Sequence, residues 1–166
     1  TRRIAQAAGV NEVPLFRRFG TKQALVTRAV AREAGRVIAR LAPTGDLQAD
    51  LVGACRVYRD LLVERAPFIA VLVSEAPRHP ELAGVLRGPL DVIGAVAGII
   101  ARGQEAGLLE AEPPIHAAAV LLTPLLGLAL LGRAAAVNLP PLDLDRHVQR
   151  FIRGRTPAEP AAQEKP

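Results

Sequence analysis

The chain has 166 residues, of which half are hydrophobic and only 3% aromatic, and this composition is typical of packed helices rather than of a β-sandwich. Its single cysteine, Cys55, excludes an internal disulfide, and nothing in the sequence points to an oxidising compartment. Residues 1–40 carry nine basic and two acidic side chains, a net charge of +7, whereas residues 41–166 carry twelve basic and fourteen acidic side chains. The sequence therefore predicts a polyanion-binding module attached to a near-neutral body.

Two short helices separated by a glycine open the predicted fold. The first covers residues 1–8, and Gly9 ends it because glycine adopts the left-handed conformation at little cost. Val10 is expected to pack inward. Asn11 is a good N-cap for the second helix, and Pro14 falls in its first turn, which is the part of a helix that best tolerates proline. This pair predicts a helix-turn-helix.

A longer third helix completes the basic segment. Gly20 ends the second helix, and Thr21 caps the third, which is predicted over residues 22–41. One of its faces carries an arginine at every fourth position, namely Arg28, Arg32, Arg36 and Arg40. The Pro-Thr-Gly turn at residues 43–45 then predicts the boundary between a head and a body.

The body begins with a helix that a proline is expected to interrupt. This helix is predicted over residues 47–65 and ends at Pro67; a shorter helix over residues 68–75 and a loop over residues 77–80 follow. The apolar spacing predicts an inward-facing stripe of Leu51, Cys55, Tyr58, Leu62 and Val63.

Two long apolar helices and one short amphipathic helix follow. The first is predicted over residues 81–106, with a kink or a break at Gly88-Pro89 and a cap at Gly107. The second is predicted over residues 115–137. The last begins at Asp143 and runs to about residue 153.

Small, apolar and glycine positions fall in register across the first three predicted helices. They are Ile4-Ala5, Ala8-Gly9-Val10, Leu15-Phe16, Phe19-Gly20-Thr21-Lys22 and Leu25. This pattern resembles the DNA-binding region of TetR-family transcriptional regulators. The resemblance implies an all-α homodimer that places its second short helix in the major groove of a palindromic DNA operator. It further implies a cytoplasmic repressor that a small-molecule effector releases from DNA, and no cofactor is expected.

The chain departs from the family pattern in two places. The family's head normally begins with a further helix, so the resemblance implies a chain truncated at its start. The family also often has a tyrosine at the position of Phe16, and the tyrosine hydroxyl commonly meets a DNA phosphate. Arg17 and Arg18 are expected to take over that contact. Phe16 is kept among the DNA-facing positions of the head, although its side chain is expected to belong to the core of the head rather than to stack on bases.

The sequence is expected to divide into three parts, of which the first makes the DNA contacts. They are a helix-turn-helix head at 1–42, a helical ligand-binding and dimerisation bundle at 46–154 and a disordered tail at 155–166. Phosphate contacts are expected from Arg17, Arg18 and Lys22, with Thr1 and Arg2 close to the duplex. A bidentate contact to guanine from one of the two arginines is the alternative. Base-edge contacts are considered for Asn11, Glu12, Val13 and Pro14, which open the recognition helix, although Asn11 is equally suited to serve only as a cap.

The body is expected to bind the effector and to dimerise. Its apolar side chains favour an apolar effector, and the polar groups available to orient one are Tyr58, Arg102, Gln104 and His116. A helix that is apolar nearly all round must be covered on every side, so the last two helices are predicted to form a two-fold interface. The residues predicted there are Leu122, Leu126, Leu130, Val148 and Phe151.

Other functions have little support in the sequence. No histidine pair has metal-ligand spacing, and the sequence contains no P-loop, dinucleotide fingerprint or nucleophile-elbow motif, so neither a metal site nor an enzyme is expected. Residues 117–132 are uncharged but shorter than the roughly 20 apolar residues that cross a bilayer. The alternative that stays open is a helical ligand-binding or dimerisation module without DNA-binding activity.

Overall fold

The computed structural model describes residues 2–7 and 9–157. These residues form seven α-helices and one short 3-10 helix, Pro80–Leu82, and they contain no strand, which confirms the predicted all-α class. The helices are α1 (Arg2–Ala7), α2 (Glu12–Phe19), α3 (Lys22–Ala39), α4 (Leu47–Glu75), α5 (Ala83–Glu105), α6 (Pro114–Ala134) and α7 (Leu144–Arg153).

The helix ends follow the predicted capping chemistry. Gly9 has a φ of +66°, and α1 closes through a hydrogen bond of 3.0 Å from the N–H of Val10 to the carbonyl of Ala5. The Thr21 hydroxyl accepts the N–H of Ala24 at 3.0 Å and caps α3. The expectation for the Val10 side chain is wrong: it is 49% exposed, because it lies in the turn between α1 and α2, where no other element covers it.

Helix α4 runs through the proline that was expected to break it. Pro67 lies on the exposed side of the helix, so the carbonyl of Val63, which has no N–H partner at position 67, is on the side where water can hydrate it. The opposite side stays buried through Leu62 and Ala66, and this packing continues the helix. Val63 is 78% exposed rather than inward, because it is rotated by about 100° from its neighbour Leu62.

Helix α5 also continues through the predicted break. It passes Gly88 and Pro89 without interruption, and it begins after the 3-10 helix rather than at residue 81. The most extensive helix contact in the molecule joins α5 to α3. Gly88 is buried against Val30 of α3, so the missing side chain allows the two helices to approach closely.

The core lies among α4, α5, α6 and α7, and the end of α3 packs against it. Its most deeply buried side chains come from all four body helices and include Leu51, Leu62, Val96, Ile100, Leu121 and Val148. Cys55 is fully buried among them. Helix α3 therefore connects the basic head to the apolar core of the body.

Helix α7 is fixed to its neighbours by specific polar contacts. The Asp143 side chain accepts the N–H of Arg146 and caps the helix, as predicted. His147 Nε2 lies 2.8 Å from the carbonyl oxygen of Leu121 on α6. The predicted tail begins too early, because Arg155 pairs with Glu112 and lies 4.2 Å above the Phe151 ring, whereas residues 158–166 lie outside the described part of the chain.

Two helices are long and apolar enough to cross a membrane by length and composition alone. They are the segments Pro80–Glu105 and Pro114–Ala134, of which sequence analysis named only the second. Core helices of soluble proteins pass the same test. Each of these two contributes fully buried residues to the core, such as Ile100 and Leu121.

Candidate nucleic-acid interface

Helices α1 and α2, the turn between them and the start of α3 form the predicted helix-turn-helix. Helix α2 exposes the start of its sequence: Val13 is 67% exposed, and Asn11 and Pro14 are also exposed. Apolar groups at the N-terminus of a recognition helix fit thymine methyl groups in the major groove. The predicted base-contacting residues whose side chains the structure describes are therefore accessible.

Basic side chains converge at the end of α2. The guanidinium carbon of Arg18 lies 5.8 Å from the centre of the Phe19 ring, and that of Arg28 on α3 lies 5.9 Å from it. Two cations held against one ring repel each other, so this arrangement favours an anion nearby. Arg28 was not among the residues predicted to contact DNA, although its place in the four-residue arginine repeat could have suggested it.

The arginine repeat of α3 divides into two halves with different partners. Arg36 pairs with Glu33 at 3.4 Å, and Arg40 pairs with Asp60 of α4 at 3.1 Å. Arg28 and Arg32 form no ion pair with any described acidic side chain. The half that is next to α2 thus keeps its charge uncompensated, and the half that is next to the body is neutralised.

The start of α3 adds a further anion-attracting group. Lys22 is exposed in the first turn of an 18-residue helix, where free backbone N–H groups also favour negative charge. Arg17 and Arg18 are exposed at the end of α2. Four cations therefore flank the helix-turn-helix without a described ion-pair partner, and we name them the head cluster: Arg17, Arg18, Lys22 and Arg28.

Several predicted DNA contacts cannot be placed on this surface. Thr1 lies outside the described residues. The backbones of Arg2, Glu12 and Phe16 belong to α1 and α2, but their side chains are outside the described part. Their roles stay predictions.

None of the four residues suggested for the effector lines either of the two surface depressions described below. Tyr58 is buried on α4, and burial raises the pKa of its phenol. Arg102 and His116 are exposed, and the Gln104 side chain donates hydrogen bonds of 2.9 Å to the carbonyls of Glu110 and Glu112. Two surface depressions of the described residues, one along α3 and one where α3, α4 and α5 meet, are lined by other residues.

The predicted dimer residues differ in how much surface they expose. Leu122, Val148 and Phe151 are 1%, 0% and 6% exposed, so their side chains pack inside the subunit and have almost no surface left for a partner. Leu126 and Leu130 are only half-buried. The most exposed apolar side chains of α6 were not among the residues predicted for the interface; they are Ile115, Val120 and Leu131, at 44%, 53% and 63%.

Two solved structures resemble this arrangement over nearly its whole length. The protein described as Flavonoid-responsive Regulator FrrA matches with a TM-score of 0.69 and 23% identity, over 94% of this chain and 86% of its own. A protein described as a TetR-family transcriptional regulator from Mesorhizobium loti MAFF303099 matches with a TM-score of 0.60 and 18% identity, over 91% of this chain and 81% of its own. The chain has the fold of a TetR-family regulator. No protein-family model and no curated protein matches the sequence.

The TetR-family fold agrees with the resemblance seen in the first forty residues. That resemblance concerned the head, whereas the structural match also covers the body. The structural match therefore extends the likeness from the head to the body. The prediction of an all-α head and helical body is confirmed.

Proposed function

We propose that this chain is a DNA-binding transcriptional regulator whose head docks on duplex DNA through α2 and the start of α3. The observation that carries the proposal is the division of charge on the head. The head cluster lacks described ion-pair partners, whereas the arginines farther along α3 are paired with acidic side chains. Unpaired cations on one side of a helix-turn-helix are the electrostatic footprint of a phosphate backbone.

In this proposal, one set of residues positions the head on the duplex and another set reads the base sequence. Arg17, Arg18, Lys22 and Arg28 contact phosphates and set the register of the head on the duplex. Asn11, Val13 and Pro14 face the base edges. Thr1, Arg2, Glu12 and Phe16 keep the DNA-facing roles that the family resemblance implies.

The mode of regulation follows the family pattern. The chain acts in the cytoplasm as a homodimeric repressor that binds a palindromic operator, and a small effector releases it. The exposed apolar side of α6 supports dimerisation. Among the residues suggested to orient an effector inside the body, Tyr58 is the best placed, since it is a polar side chain buried in the core region.

The head cluster can be tested by the salt dependence of DNA binding. Fluorescence anisotropy of a labelled duplex gives the affinity at several salt concentrations. Replacing Arg17, Lys22 or Arg28 by alanine is expected to lower the slope of log affinity against log salt by about 0.9 for each phosphate that the variant no longer neutralises.

Arg36→Ala is the matched control, because Arg36 lies on the same arginine face as Arg28 but is paired with Glu33. It is expected to leave the slope unchanged. If the three head-cluster variants bind as the parent chain does, the docking model is wrong. Absence of any salt-dependent duplex binding by the parent chain would instead favour a ligand-binding module without DNA-binding activity.

A further inference from the structure

A groove with apolar walls and an acidic rim lies where the head meets the body. It has a volume of about 320 Å³, near the lower end of the range for small-molecule sites. We name it the junction groove. Its apolar lining comes from α3, α4, the 3-10 helix and α5: Val26, Phe68, Val71, Leu72, Leu82 and Val85.

The apolar lining is unusually accessible to water. Val71 is 60% exposed and Phe68 is 39% exposed, although both adjoin the buried side chains of Leu72 and Val85. Exposed apolar side chains that lie together on a surface are typical of binding sites. The groove can therefore hold the apolar part of a ligand.

The charged groups of the lining lie together around His79 and are mainly acidic. Glu81 Oε1 lies 3.0 Å from His79 Nδ1, and Glu75 Oε2 lies 3.6 Å from His79 Nε2. No lysine or arginine is among the lining residues. The rim thus carries a net charge of −1 or −2, depending on His79, in a chain whose overall charge is +5. The charge of the rim is thus opposite in sign to the net charge of the whole chain, so the overall composition does not account for it.

The acidic rim is held in place by backbone contacts. The N–H of His79 donates to the carbonyl of Glu75 at 3.0 Å, and the Gln23 side chain of α3 donates to the carbonyl of Glu81. Hydrogen bonds from its own backbone N–H and from His79 lower the pKa of the Glu81 carboxyl, so this carboxyl is ionised at neutral pH. The backbone of the rim is thus held beside α3, and both carboxylates lie next to His79 before any ligand arrives.

We propose that the junction groove binds a small apolar cation, an organic ammonium whose hydrocarbon part packs on Val71 and Val85 while its charge faces Glu75 and Glu81. Phe68 adds an aromatic face, which attracts cations. Because Val26 belongs to α3, the bound cation contacts the head and the body at once. An effect of the cation on DNA affinity rests on the proposed function, but its binding to the groove does not.

The charge requirement is tested with two ligands of nearly the same shape. Benzyltrimethylammonium carries the positive charge, and neopentylbenzene is its neutral carbon analogue. Ligand-observed NMR titration of the whole chain is expected to show binding of the cation and much weaker binding of the neutral analogue. Equal affinities would overturn the proposal.

The position of the site is tested with variants on exposed residues, which should fold normally. Val71→Lys places a like charge in the groove and is expected to weaken cation binding roughly tenfold or more. Val63→Lys is its control, since Val63 is on the same helix, is 78% exposed and does not line the groove. Glu75→Gln and Glu81→Gln are each expected to weaken binding roughly two- to fivefold, as for exposed ion pairs, whereas the exposed Glu105→Gln should have no effect. Equal effects of the two lysine variants would place the site elsewhere.

Anisotropy with a labelled duplex separates this proposal from the proposed function. Saturating cation is expected to change the duplex affinity of the parent chain but not that of Val71→Lys. If the parent binds no duplex without the cation, the proposed function fails, and the groove is judged by the titrations alone. If the cation binds but leaves duplex affinity unchanged, the site stands and its coupling to the head is refuted.

Discussion

Replacement of Gly88 by alanine should force apart the two helices that join the head to the body. A Cβ atom at position 88 would lie 2.7 Å from Val30 Cγ1 and 3.2 Å from the Val30 carbonyl oxygen. A valine in the middle of a helix has one strongly preferred rotamer, and a carbonyl cannot rotate away without disturbing α3. The clash can therefore be relieved only by movement of α3 relative to α5.

Two opposing effects set the magnitude of this change. Overpacking of a closely packed contact typically costs about 1–3 kcal/mol. An alanine in place of a glycine within a helix returns about 0.8–1 kcal/mol through helix propensity. The net change in the free energy of unfolding is thus expected to be a decrease of about 0–2 kcal/mol, and a single variant does not isolate the clash.

Gly94→Ala provides the matched control on the same helix. Gly94 is exposed, and a Cβ atom there would meet no atom within 4 Å, so this variant should gain only the propensity effect. The difference between the two variants measures the clash, about 1–3 kcal/mol. Thermal unfolding followed by circular dichroism should show it as roughly 2–4 °C of Tm for each kcal/mol.

A double variant tests the identity of the contact. Val30→Ala removes Cγ1, so adding Gly88→Ala to it should cost less than in the parent chain. Since α3 belongs to the head and α5 to the body, Gly88→Ala is also expected to change duplex affinity. A rise in Tm for Gly88→Ala equal to that for Gly94→Ala would refute the close crossing of α3 and α5.

Three further predictions concern stability and reactivity. Ala136, two residues beyond the end of α6, has a φ of +52°, so Ala136→Gly should relieve the strain of a left-handed alanine and stabilise the chain by about 0.5–1 kcal/mol in urea unfolding; a decrease in stability would contradict this. Partial burial acts to raise the pKa of the Asp50 carboxyl, but hydrogen bonds from Thr44 and Gly45 outweigh it and leave the pKa below 3.8. The stabilisation that these hydrogen bonds give to the fold is present above pH 3.8 and disappears as pH falls through the lowered pKa. The difference in stability between the parent chain and Asp50→Asn should therefore shrink in acid. Burial raises the pKa of the Cys55 thiol to about 12, so iodoacetamide should label Cys55 only after unfolding; rapid labelling of the native chain would show an accessible thiol.

Helix ends were predictable from the sequence because capping is local chemistry. Gly9 and Gly107 both have positive φ values, and both lie where the sequence ends a helix. Thr21 and Asp143 both accept the backbone N–H three residues on. In each case the residue type and its immediate neighbours decide the conformation, without help from distant parts of the chain.

The continuity of the long helices and the paired or unpaired state of each arginine could not be read locally. Pro67 ends a helix by its own chemistry, but the packing of Leu62 and Ala66 on the core carries α4 past it. Arg28 and Arg36 look alike in a four-residue repeat, and only the tertiary structure shows that Arg36 has an acidic partner and Arg28 has no described one. These distinctions depend on which elements meet, which a single sequence does not state.

The sequence also did not show which sides of α6 and α7 are buried within the subunit, and the observed burial changes the predicted dimer interface. Sequence apolarity shows that α6 needs cover on all sides, but not which side the subunit itself covers. The subunit covers Leu122, Val148 and Phe151. The outward side of α7 is mainly charged, with Arg146, Arg150 and Arg153 exposed, so it is poorly suited to an apolar contact.

The remaining candidate for a two-fold interface is the outward side of α6. Only 28% of the most apolar window of α6 is buried within the chain, although its mean hydropathy is 2.0. Val120 is 53% exposed at the middle of this face, and Leu130 and Leu131 follow about three helical turns further along. An exposed apolar face of this kind favours an isologous contact with a second copy.

We expect the parent chain to sediment as a dimer and Val120→Glu as a monomer, because a carboxylate would be buried against the same patch of the partner. Val120→Glu should also abolish binding to a two-half-site operator, since the two heads would no longer be joined. Leu90→Glu is the control, because Leu90 is 58% exposed on α5 and is similarly apolar. A Val120→Glu chain that stays dimeric, together with a Leu90→Glu chain that becomes monomeric, would move the interface from α6 to α5.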